Sequence, residues 1–264
     1  MNCPKCGNEL TPDGRCGCGW NIVESTPYTV SHLSDLQTSL LTEMYLKSRR
    51  NEKRGTEKEL PPQKKKFCMW GPERPTYTMA HPAKFAVFNS ITDNSLVGDE
   101  RNFVRIVEKG IGGTYCSNLV IEPEKQYDIY IYLHNNASSA LNDKAHDYVG
   151  VAINTRLSCA FPTSLSKGEE GLIHSTITST STNPPAVWAG AYVTASENMT
   201  LHYLAGSAKI YNAWAKEGRV LSMNLFTERG TFLGMRELNG VYPGFAEFSG
   251  SVRYTIQTHM RKET

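Results

Sequence analysis

Long hydrophobic runs are missing from this 264-residue sequence. No stretch of eighteen or more apolar residues occurs, so no membrane-spanning helix is expected. The N-terminus opens on cysteine and glycine, where a secretory signal requires an apolar segment, and the expected location is cytoplasmic. Catalytic signatures are equally scarce. Gly110-Ile-Gly-Gly113 follows a strand-like run but opens no helical pattern, which argues against a phosphate loop. Gly206-Ser207-Ala208 lacks the flanking glycine of a nucleophile elbow. The histidines are scattered without ligand spacing, and Cys116 or Cys159 could meet His134 or His146 only through the fold. The sequence is therefore read as non-enzymatic, with no small-molecule substrate identified.

What is there begins at the first cysteines. Four of the seven crowd into Cys3-Pro-Lys-Cys6 and Cys16-Gly-Cys18, while Cys68, Cys116 and Cys159 are dispersed and odd in number. Glycine flanks each pair and lets the backbone turn its amides toward thiolate sulfurs. Four thiolates around Zn²⁺ close a tetrahedral shell and leave no position for water or substrate, so the metal is expected to be structural. Iron in the same geometry, a disulfide pair or free thiols are the alternatives. Such a short segment has almost no core of its own, and metal binding would supply its folding energy. Residues 1–24 are assigned to this zinc ribbon.

An amphipathic helix is expected within residues 29–54. Leu33, Leu36, Leu40, Leu41 and Met44 recur at three- and four-residue steps, acidic residues lie early and Lys47, Arg49 and Arg50 lie late. Net charge is small, +2, but unevenly placed. Residues 47–74 carry ten basic side chains against four acidic ones, whereas residues 1–46 carry two against five. Within 55–75, Pro61-Pro62 and Lys64-Lys65-Lys66 read as a stiff, self-repelling linker.

From residue 76 to 264 the pattern changes to short runs rich in Val, Ile, Tyr, Phe and Thr, broken by Gly, Asn, Asp and Pro. Strands are expected at 84–88, 103–108, 127–134, 149–158, 172–179, 191–193, 199–203, 209–211 and 250–258. Tyr127, Ile129, Ile131 and Leu133 fall on one face of their run, and Val252, Tyr254 and Ile256 alternate with Arg253, Thr255 and Gln257. Nine such runs without long helical patterns between them indicate an all-β, antiparallel sandwich.

Several of these segments carry a family resemblance. Tyr127-Asp-Ile-Tyr-Ile-Tyr-Leu-His-Asn-Asn136, Leu201-His-Tyr-Leu-Ala-Gly206-Ser-Ala208, Leu233-Gly234 and Phe248-Ser-Gly250-Ser-Val-Arg-Tyr254 together resemble a bacterial immunoglobulin-like conserved-repeat domain. That resemblance implies an Ig-like β-sandwich used for adhesion, assembly or spacing in surface proteins, with no active site. The opening cysteines are similar to the small zinc ribbons at the start of many prokaryotic proteins, although those more often close with Cys-x-x-Cys.

The reading that follows is a structural or protein-interaction module that self-associates into an oligomer or filament. The helix stripe of Leu33, Leu36, Leu40 and Met44 is its expected contact surface, because a lone apolar stripe needs a partner. The alternative is nucleic-acid binding through the ribbon and Lys64, Lys65 and Lys66. Native mass spectrometry of the full chain is expected to show one zinc per subunit, lost in Cys3→Ser with Cys6→Ser. A metal-free wild-type chain purified under reducing conditions would overturn the zinc assignment.

Overall fold

The chain divides into two units, residues 1–64 and 65–264. The computed structural model describes residues 69–261, all in the second unit. Thirteen strands, with a few single 3₁₀ turns between them, make two sheets. Among the described residues there is no α-helix, and no helix long and apolar enough to cross a membrane.

The seven-stranded sheet is organised by its longest strand, β13 (Gly250–Met260). One edge of β13 pairs along its length with β4 (Gln126–Leu133), in antiparallel register from Gly250 opposite Leu133 to Gln257 opposite Gln126. Its other edge is shared between β10 (Lys209–Asn212) and β9 (Met199–Tyr203). Outside these lie β2 (Val104–Glu108) on β4, β11 (Arg219–Val220) on β10 and β6 (Ser164–Leu165) on β9.

The six-stranded sheet runs β1 (Met69–Gly71), β8 (Ala186–Ala195), β7 (Glu170–Thr178), β5 (Arg156–Ala160) and β12 (Thr231–Phe232). The remaining strand, β3 (Asn118–Ile121), lies beside β8 in parallel, so the sheets are antiparallel apart from that one pair. Strand β1 begins within residues 55–75, which the sequence assigns to the linker. A three-residue strand ending at Gly71-Pro72 is too short to carry an alternation pattern.

Alternation explains why these strands face as they do. Tyr127, Ile129, Ile131 and Leu133 are fully buried on one side of β4, and Val252, Tyr254 and Ile256 continue that side across β13. From the other sheet come Leu157, Ile173, Ile177 and the small residues Ala189, Ala191 and Val193. All belong to one hydrophobic cluster, which makes the arrangement a β-sandwich with a single core. Phe226 joins it from a 3₁₀ turn and meets Tyr254 edge to face at 5.2 Å.

One expected strand is absent. Residues 84–88 form one isolated bridge, from Phe88 to Asn135, with another just before them from Ala83 to Ala137. The Val87 amide donates to Asn135 Oδ1 at 3.2 Å in place of a ladder carbonyl. The segment's other bonds go to scattered backbone groups, from the Ala86 amide to the Val149 carbonyl and from the Asn136 amide to the Val87 carbonyl, so no single strand lies beside it.

Burial of Ile129 at the middle of β4 sets an expectation for stability. Ile129→Ala removes three buried carbons beneath the central strand pair and is expected to cost about 2–5 kcal/mol in urea denaturation. A loss below about 1 kcal/mol would mean that the two sheets do not close on this residue.

Candidate binding face and the sealed polar cluster

Two groupings of polar side chains stand out, one sealed and one open. The sealed one surrounds the carboxylate of Glu100, which is 1% exposed. Its Oε1 accepts from Asn94 Nδ2 at 2.7 Å and faces His134 Nδ1 at 2.8 Å, while Oε2 accepts from Asn136 Nδ2 at 2.7 Å. Since a carboxylate accepts, the arrangement places the imidazole proton on Nδ1. His134 Nε2 then has no hydrogen-bond partner among the described residues, and the ring lies beside Tyr132 and Phe245.

Local backbone bonds extend the cluster. Asn89 Oδ1 accepts from the His134 amide, Asn136 Oδ1 accepts from the Ser90 amide, and Arg74 donates to Ser90 Oγ at 2.8 Å and to the Asn89 carbonyl at 2.8 Å. Asn135 Nδ2 donates to the carbonyls of Gly150 and Tyr242. The Asn135-Asn136 pair after β4 thus joins loops that are far apart in sequence. A carboxylate beside an imidazole has the makings of acid-base chemistry. Here His134 and Glu100 are shut off from solvent, so no reacting atom has a path to them. The cluster serves as a fastening.

The open grouping is the outer face of the seven-stranded sheet. Register places Arg105 of β2 opposite Tyr130 of β4, Tyr130 opposite Arg253 of β13, and Arg253 opposite Lys209 of β10. Because alternate residues share a face, the four form one transverse row on the side away from the core. The Arg253 guanidinium carbon sits 5.5 Å from the Tyr130 ring centre and 5.0 Å from that of Tyr211. Tyr115 tilts against Tyr130 with 5.2 Å between ring centres. Burial raises the pKa of both phenols, so they are neutral at pH 7.

Charge on this face is one-sided. Arg105 donates to the Val97 carbonyl at 2.6 Å and, like Arg253, has no ion pair among the described residues. Asp128, two positions before Tyr130 on β4, is already engaged: it accepts from Thr255 Oγ1 at 2.6 Å and has Lys109 Nζ at 3.8 Å. Gly218, with φ +80°, lets the β10–β11 turn fold over the row. A Cβ there would lie 2.7 Å from the Tyr211 ring.

Of the residues singled out in the sequence, Cys3, Cys6, Cys16 and Cys18, the stripe Leu33, Leu36, Leu40 and Met44, and Lys64, Lys65 and Lys66 lie outside the described residues. No cluster of metal-ligating side chains occurs among the described residues. The Cys159 thiol is buried, accepts from Ser175 Oγ at 3.3 Å and is pushed up by that burial to about 12, which makes it a poor nucleophile. Cys116 donates to the Asn118 carbonyl at 3.1 Å, and neither thiol hydrogen-bonds a histidine among the described residues. Gly110 and Gly112 take positive φ in the turn after β2, and Ser207 Oγ accepts from the Thr255 amide. Arg253 and Tyr130 were visible as outward-facing positions, but their meeting across strands depends on register, which no local pattern encodes. No family model, curated protein or solved structure matches this chain.

The sealed cluster gives a direct expectation. Glu100→Ala strips Asn94, His134 and Asn136 of their shared acceptor, and stability measured by urea denaturation is expected to fall by about 3–5 kcal/mol. A change under about 1 kcal/mol would show that the carboxylate does not hold these loops together.

Proposed function

We propose that the chain is a non-enzymatic, self-associating interaction module. A structural zinc knuckle orders its N-terminus, and its Ig-like sandwich presents a cationic tyrosine face to a second copy. The observation that carries this reading is the row Arg105, Tyr130, Arg253 and Lys209, aligned across four strands with Tyr115 and Tyr211 beside it. Tyrosine and arginine are the side chains that contribute most at protein contacts, because they bury large area while losing little conformational freedom.

Charge fixes the mode of association. Like charges keep this face from meeting its own mate across a twofold axis, so a contact between copies is heterologous. Residues 1–46, with five acidic side chains against two basic, supply the complementary charge in the same chain. A heterologous contact closes into a ring or continues as a filament, and the stripe of Leu33, Leu36, Leu40 and Met44 is its apolar complement. Association by strand addition is disfavoured, because the outermost strands are short: β1, β6, β11 and β12 have two or three residues each and β3 has four. The longer β2 is bridged at Ile106 by Cys116.

The same row favours a second reading, in which the sheet face and Lys64, Lys65 and Lys66 grip single-stranded nucleic acid. Light scattering of the full chain across protein concentration and salt separates the outcomes. Self-association is expected to give a mass above the monomer at low salt, falling as salt rises, and a monomer in Arg253→Glu with Tyr211→Ala. A wild-type monomer under every condition overturns it. Displacement of the assembly by a single-stranded oligonucleotide, bound with a steep salt slope, supports the second reading instead.

A further inference from the structure

Beyond the sheet face, the sandwich has a hollow of about 550 Å³ where β12 and β5 end the six-stranded sheet. Volumes of this order suit small ligands. Arg156 and Arg229 line it together with Phe232, Leu221, Leu238 and Ser222, and no acidic residue lines it among the described residues. The strand β12 holds only two residues, yet one of them, Phe232, is paired directly with Arg156 in the register.

That pairing lays the Arg156 guanidinium over the phenyl ring, with its central carbon 3.5 Å from the ring centre. A planar cation seated this way keeps its N–H groups in the plane of the fork and directs them sideways. Among the described residues only one is used, in a long bond of 3.3 Å from Nη1 to the Gly230 carbonyl. Arg156 has no ion pair among the described residues, and it is half-buried. Burial and, after it, the neighbouring charge of Arg229 both disfavour its protonated form. Two cations thus lie near one another, with no ion pair to either among the described residues, beside Leu221 and Leu238.

We propose that this hollow binds a small organic carboxylate. The Arg156 fork takes both carboxylate oxygens, Arg229 adds a second positive charge, Phe232 holds the fork in plane, and the leucines cover the apolar body of the ligand. An arginine fork takes a carboxylate or a phosphate alike, and it is Leu221 and Leu238 in the lining that favour a ligand with an apolar body over inorganic phosphate. Binding removes the repulsion between the two arginines, a gain that a neutral ligand of the same shape cannot collect.

The test uses the isotope-labelled full chain, titrated at constant ionic strength with 3-phenylpropionate, with its amide and with inorganic phosphate, and followed by amide chemical shifts. Saturable shifts at Gly230, Thr231 and Phe232 are expected with the carboxylate, and at least tenfold weaker binding with the amide. Arg156→Gln should weaken carboxylate binding at least tenfold, with Arg156→Lys failing to restore it. Arg229 is exposed, so Arg229→Gln can be read even if the Arg156 variants misfold, and it should weaken binding several-fold. No saturation, an equal response to the amide, phosphate binding as tight as that of the carboxylate, or an unchanged Arg229→Gln would each overturn the proposal. None of these outcomes bears on self-association through the sheet face.

Discussion

The pairing of β4 with β13 is the constraint from which the rest of the sandwich follows. Eight consecutive positions are matched, and a one-residue shift of β4 against β13 would send Ile129 and Ile131 to solvent and Tyr130 into the core. Burial on the inner side therefore fixes what lies on the outer side. The core and the cationic face are two consequences of one alignment, and neither can be altered without regard to the other. The strands that flank this pair are shorter, and each takes its position from it.

A division of labour follows between the ends and the faces of the sandwich. The loops that follow β4 are tied by the carboxamides of Asn89, Asn94, Asn135 and Asn136 around one carboxylate. Carboxamides suit this task because each offers both a donor and an acceptor, so one side chain can bridge two backbone segments. The buried Glu100 carboxylate is hydrogen-bonded at both oxygens, while Arg105, Arg253 and Arg156 have no ion pair among the described residues.

Much of the fold is legible in the sequence because strand alternation is a local signal. The runs at 127–134 and 250–258 show which side chains face inward, and the structure buries Tyr127, Ile129, Val252 and Ile256 accordingly. The run at 84–88 has the composition of a strand, but its backbone is bonded by Asn135, a partner 48 positions away from Val87 that composition cannot reveal. Strands β11 and β12 are too short to show a period. The site residues were harder still. Arg105, Tyr130, Arg253 and Lys209 come from four strands spread over the chain, and only the register brings them into one row. Likewise Glu100 has no local mark that distinguishes it from a surface carboxylate.

The imidazole of His134 has one more consequence. Its Nδ1 proton is held against a carboxylate in a compartment closed to solvent, so it can exchange with water only when the loops around it part. Such a proton resonates far from the amide signals and persists for as long as the enclosure does. The molecule thus carries its own gauge of how often this end of the sandwich opens.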